Sequence, residues 1–170
     1  MNTATRVVLI ALVAAGATAC AKKAVKPESA PIESTPPAST APVEHQGRYT
    51  RESLDTDSCL RQRVIYFDFD KSEIKPEFQA QIACHAEYLK EFPEARVRLE
   101  GNTDERGSRE YNLGLGERRA NAVDSALVAA GASASQLNVV SYGEERPVCR
   151  EHNEACWSKN RRVEIVYTAK

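Results

Sequence analysis

Hydrophobic positions along the chain fall into two repeating patterns. Val64-Ile65-Tyr66-Phe67 is a β-branched and aromatic run, which predicts a strand. Pro76 suits a first helical turn; Phe78, Ile82, Ala86, Leu89 and Phe92 then recur at helical spacing until Pro93 stops them. From Arg96 to Glu100 polar and apolar residues alternate, with Val97 and Leu99 on one face, as in a second strand. The longest helix is expected over residues 109–130. There Gly116, Ala120, Val123, Leu127 and Ala130 draw a narrow stripe of small side chains suited to close packing on a sheet, and Gly131 supplies a stop. Leu137 to Tyr142 reads as a third strand, and Val163, Ile165 and Tyr167 alternate in a fourth. The order is βαβαβ, an irregular loop, then β: one α/β sandwich with helices covering a sheet.

The first twenty residues follow neither pattern. Arg6 precedes an apolar run from Val7 to Ala17, too short to span a bilayer as a helix. Ala17, Thr18 and Ala19 then lead into Cys20. This resembles a bacterial lipobox, with Ala17 standing where that motif usually carries Leu. The resemblance implies a signal peptide over residues 1–19, cleavage before Cys20, and three acyl chains on it. Ala21 in place of Asp implies sorting to the outer membrane. More than one acyl chain is what stable attachment requires, at roughly 0.8 kcal/mol per buried methylene. The competing reading is a plain secretory signal cut near Ala19.

Residues 20–55 are expected to form a linker behind the lipidated Cys20. Pro27, Pro31, Pro36, Pro37 and Pro42 alternate with Ser, Thr, Ala and Glu, and large apolar residues are too scarce to offset the entropy of ordering. At about 3.3 Å per residue, the ceiling on its reach is on the order of 100 Å. One folded domain is expected over residues 56–170. The formal net charge of −1 gives no reason to expect a nucleic-acid partner.

The chemistry concentrates in Gly101-Asn102-Thr103-Asp104-Glu105-Arg106-Gly107 and in the helix that follows. Asp104 leaves the end of a strand, where ligands of open α/β sheets commonly bind. Asn112 and Arg119 lie seven residues apart, and at about 100° per residue they return to nearly the same helix face. A carboxylate, an amide and a guanidinium converging on one spot suit a zwitterion.

Thr103, Asp104, Gly107, Asn112, Leu115, Arg119 and Ala120 match the T-D-x-x-G…N-x-x-L-x-x-x-R-A signature, and the chain therefore resembles the OmpA-like peptidoglycan-binding family. Tyr66-Phe67-Asp68-Phe69-Asp70, Ser141-Tyr142-Gly143 and Ser158-Lys159-Asn160-Arg161-Arg162 extend the likeness to its lipid-anchored members. The resemblance implies helices on a mixed four-stranded sheet and non-covalent binding of the meso-diaminopimelate of stem peptides. The ligand set would be Asp104, Arg119, Thr103, Asn112 and Leu115, with Asp70 in a loop whose backbone reaches the ligand. No cofactor is implied. The partners would be peptidoglycan, TolB and other Tol components, and OmpA-type porins, in a system that holds the envelope together at division. Asn102 replaces a common His, and Gly116 a common Ser. Arg161 and Arg162 are expected to be strand-edge charges.

An enzymatic alternative would use Asp68, Asp70, Asp104 or Glu105 as acid and base. No nucleophile–base pair, metal cluster or glycine-rich phosphate loop accompanies them, so no catalytic activity is expected. Of five cysteines, Cys149 and Cys156 flank a short loop, and a disulfide is the simplest reading in an oxidising compartment. Cys59 and Cys84 then pair by elimination. The rival is zinc on Cys149, His152 and Cys156, with His85 beside Cys84, although the spacing matches no standard motif.

Overall fold

The computed structural model describes residues 47–170, so the signal segment, Cys20 and most of the expected linker lie outside the described residues. The elements run α1 (Ser53–Thr56), β1 (Val64–Tyr66), α2 (Gln79–Glu91), β2 (Arg96–Asn102), α3 (Arg109–Ala129), β3 (Leu137–Gly143), α4 (Glu154–Asn160) and β4 (Arg162–Ala169), with short 3-10 turns at Pro76–Phe78 and Ala134–Gln136. The strands form one sheet in the order β1-β4-β2-β3. Strand β4 is antiparallel to both of its neighbours, and β2 and β3 are parallel. The sheet is therefore mixed and four-stranded, as expected.

Period-two alternation sets which face is buried. Leu99 pairs with Ile165 and Gly101 with Val163 across β2 and β4, and Val97, Leu99, Val163 and Ile165 are all fully buried. Each large aliphatic side chain so buried contributes about 1.5–3 kcal/mol. Ile82, Ala86 and Leu89 of α2 and Ala120, Val123 and Leu127 of α3 complete the same core. The opposite face of β2 carries Glu100, which pairs with Arg98 and Arg146.

The small-residue stripe on α3 does what its side-chain sizes suggest. A Cβ on Gly101 would overlap the Gly116 carbonyl, and one on Gly116 would overlap Ser141 Oγ. Helix and sheet backbones thus meet at this crossing, and the Gly at position 101 is required by the fit. Ser141 Oγ donates to Leu113 O at 2.7 Å and fixes the same junction.

Two parts of the fold depart from the expected boundaries. Tyr49 and Leu54, in the stretch expected to be linker, are buried in the core. The loop between β3 and β4 contains α4, whose amino end is capped by the Asn153 side chain accepting from Cys156 N. Both expected disulfides are present: Cys59–Cys84 ties the segment before β1 to α2, and Cys149–Cys156 closes the loop that carries α4.

Candidate functional site

Because β1, β2 and β3 run in one direction, their carboxyl ends meet at one edge of the sheet, together with the start of β4. The chain leaving β2 places Thr103 and Asp104 there. Gly107 turns it at φ 113°, a left-handed conformation that favours glycine, and Ser108 caps α3 by accepting from Tyr111 N. Helix α3 then directs Asn112, Leu115 and Arg119 to the same edge, and the loop after β1 brings Asp70, at φ 56°. All six expected ligand residues line one cavity of about 200 Å³, with Phe69, Arg106, Gly107 and Tyr111 as the remaining wall.

Arg119 has no solvent exposure. Its Nε donates to Lys71 O at 2.8 Å, Nη1 to Asn102 O at 3.0 Å and Nη2 to Asp68 O at 3.1 Å. Burial, then the charge of Arg161, pull its pKa down to about 10, so it stays cationic at neutral pH. A guanidinium carries five N–H bonds. Three are committed to loop carbonyls, which leaves one on each Nη for the cavity. Arg119 is therefore a structural strut as well as a candidate ligand.

Asp104 is equally committed. Its Oδ1 accepts from Arg106 N at 3.0 Å and Arg106 Nε at 3.1 Å; its Oδ2 accepts from Arg106 Nη2 at 2.7 Å and Arg161 Nη1 at 3.2 Å. Four bonds fill the usual acceptor capacity of a carboxylate. Burial pushes its pKa up, but the bonds from Arg106 and Arg161 outweigh burial and hold it below the usual carboxylate value. Asp104 and Arg119 make no ion pair with each other among the described residues; they border the same cavity.

The other four residues take distinct positions. Thr103 Oγ1 is buried with no hydrogen-bond partner. Asn112 Nδ2 donates to Glu144 Oε2 at 2.5 Å. Asp70 accepts from the Tyr111 hydroxyl. Leu115 is buried and supplies apolar wall. Phe67 is buried under Arg119, whereas Phe69 stands half exposed at the mouth.

Arg161 and Arg162 correct the sequence reading. They were expected as strand-edge charges, and both are buried. Arg161 joins Asp104, Glu154 and Phe67 O; Arg162 joins Glu164 and Arg146 O. Arg106 was also missed. Its guanidinium lies between the Phe69 and Trp157 rings, 4.0 and 4.2 Å from their centroids.

Cys149 and Cys156 are bonded to each other, and His152 Nδ1 meets Glu105 Oε1 at 2.6 Å. No cluster of three or more potential metal ligands occurs among the described residues, and no helix among them is long and apolar enough to cross a membrane.

Residues 66–161 match the OmpA family. A peptidoglycan-associated lipoprotein of Pseudomonas putida is 53% identical over 114 residues, covering 66% of this chain and 68% of that protein. The crystal structure of the peptidoglycan-associated lipoprotein from Burkholderia pseudomallei superposes with a TM-score of 0.66 at 46% identity, covering 68% of this chain and 98% of that one. The C-terminal domain of Helicobacter pylori MotB, at 24% identity and a TM-score of 0.58 over 63% of this chain and 84% of that one, shares the fold alone.

Proposed function

We propose, on the premise that this chain belongs to the OmpA family and within it to the peptidoglycan-associated lipoproteins, that it is a non-covalent tether between outer membrane and cell wall. The close relatives are structural lipoproteins, and the chain is not an enzyme. Its ligand is the meso-diaminopimelate side chain of the stem peptide. The observation that carries this reading is the convergence, on one cavity, of an ionised acid, a buried guanidinium with two uncommitted N–H bonds, and an unpartnered hydroxyl.

The parts divide the work by charge. Arg119 receives a ligand carboxylate on its two remaining N–H bonds. Asp104 faces a ligand ammonium. The hydroxyl of Thr103 gains the partner it lacks, removing a cost of about 1–3 kcal/mol. Leu115 packs against the methylene chain, Asn112 supplies an amide to the rim, and the Asp70 loop reaches the ligand through its backbone.

Lipid on Cys20 places the domain on the periplasmic side of the outer membrane. TolB is the proposed partner, in a Tol system that draws the outer membrane inward at division, with OmpA-type porins as neighbours.

Sedimentation with purified sacculi tests the wall reading. The parent chain pellets with them, and Asp104→Asn stays in the supernatant. Pelleting of that variant as efficiently as the parent would overturn the site assignment; soluble muropeptides released over time would instead indicate an enzyme. Co-purification with TolB tests the Tol partnership separately.

A further inference from the structure

Asp104 cannot accept a fifth hydrogen bond without giving one up. Four donors already fill both oxygens, and three of the four come from Arg106. The fourth, from Arg161, is anchored: that side chain is 6% exposed and also holds Phe67 O and Glu154. The Arg106 side chain is 32% exposed and borders the cavity. Any ammonium that reaches Asp104 must therefore compete with the Arg106 guanidinium.

The geometry points to Arg106 as a displaceable internal ligand, which occupies Asp104 while the cavity is empty and yields it to the ligand ammonium. This rests on the reading above that Asp104 binds the ammonium. A place to retreat is already built. Glu154 Oε2 lies 3.6 Å from Arg106 Nη2. The Phe69 and Trp157 rings flank the guanidinium, so it can slide along their faces toward Glu154 while keeping its stacking. The Arg106 backbone N–H stays on Asp104 Oδ1 whichever way the side chain points, so the carboxylate keeps its orientation through the exchange.

The arrangement has a function beyond lowering affinity. Without the Arg106 side chain, Asp104 would keep only two of its four bonds, and the loop would be freer to relax. Arg106 holds Asp104 ionised and in place, so the ligand meets a formed acceptor. Affinity is then set partly by how readily Arg106 leaves. Two substitutions move it in opposite directions. Removing the competitor tightens binding; removing its alternative partner weakens binding.

The experiment is calorimetric titration of the full chain with meso-diaminopimelate. Arg106→Gln keeps the first methylenes of the side chain and the backbone bond but removes the competing charge, and it is expected to bind about tenfold more tightly. Glu154→Gln is expected to bind more weakly than the parent. Trp157, the one tryptophan of the chain, gives a second readout: ligand shifts its emission in the parent as the guanidinium moves, and much less in Arg106→Gln. Far-UV circular dichroism establishes that each variant is folded. Equal or weaker binding by a folded Arg106→Gln overturns the inference, as does Glu154→Gln binding as tightly as the parent. Asp104→Asn separates the two levels. If it binds as the parent does, the site reading falls; if it loses binding while Arg106→Gln gains nothing, only the role of Arg106 falls.

Discussion

At one end of the sheet His85 is buried and uncharged; at the other Arg119 is buried and charged. His85 Nε2 lies 2.9 Å from Gln62 O, which can only accept, so that nitrogen carries the proton and Nδ1 accepts from the Tyr167 hydroxyl at 2.9 Å. Burial lowers the His85 pKa, and its ring packs on Tyr167, which in turn meets Tyr88 and, through it, Phe92. One proton thus satisfies both ring nitrogens of His85. Arg119 meets three carbonyls and still retains two donors. The difference teaches how to separate a purely structural buried polar group from one with capacity left for a ligand. The first is saturated by the protein; the second leaves capacity facing a cavity. Each end also has its own disulfide, so the two can be perturbed independently.

The largest effect that can break this comparison comes from Arg119→Ala. It leaves three loop carbonyls without their donor and is expected to cost about 3–5 kcal/mol in urea denaturation, with loss of sacculus binding as well. A variant that loses binding at unchanged stability would show that the strut role is misassigned. Next is the pair Cys59→Ser and Cys84→Ser together. It opens a loop with a sequence separation of 25 residues, for about 3 kcal/mol of stability by the chain-entropy model, at an end remote from the cavity. Calorimetry should show diaminopimelate affinity unchanged; a drop would mean the two ends are coupled.

Acid sharpens the contrast further. The folded pKa of Asp104 is depressed, so its contribution is present above the unfolded value of about 3.9 and lost as pH falls through the folded one. Sacculus binding should therefore be level from about pH 8 down to pH 5 and fail only in stronger acid. The smallest effect belongs to His85. Its folded pKa lies below the unfolded value of about 6.5, so the unfolded chain takes up the proton first and stability falls as pH drops below that value. One proton limits the slope to about 1.4 kcal/mol per pH unit, and His85→Gln should remove it from the melting curve.

Most of the sheet and both long helices were legible because their side-chain periods are long enough to average out noise. Helix α3 was expected over 109–130 and spans Arg109–Ala129. Helix α4 was not legible: seven residues give barely two turns, and its place is fixed by Asn153 and a disulfide instead of an apolar stripe. Tyr49 and Leu54 were hidden by the polar residues around them, since two apolar anchors in a proline-rich lead carry no period. Within the site, the six residues tied to the signature line one cavity. Arg106 and Arg161 were invisible for a different reason. An arginine's burial depends on which acids and carbonyls the fold brings to it, and those partners come from three separate segments of sequence.

Strand β4 follows every other element in sequence yet lies inside the sheet, between β1 and β2. Until it inserts, β1 has no neighbour, Arg161 has no fixed position, and the acid at the end of β2 lacks its anchored partner. Such long-range pairing must wait for chain closure and is slow compared with helix formation. For a polypeptide threaded across a membrane amino end first, the ability to seize the wall would therefore switch on late, after the whole domain has emerged, and a chain arrested partway through export would remain unable to grip.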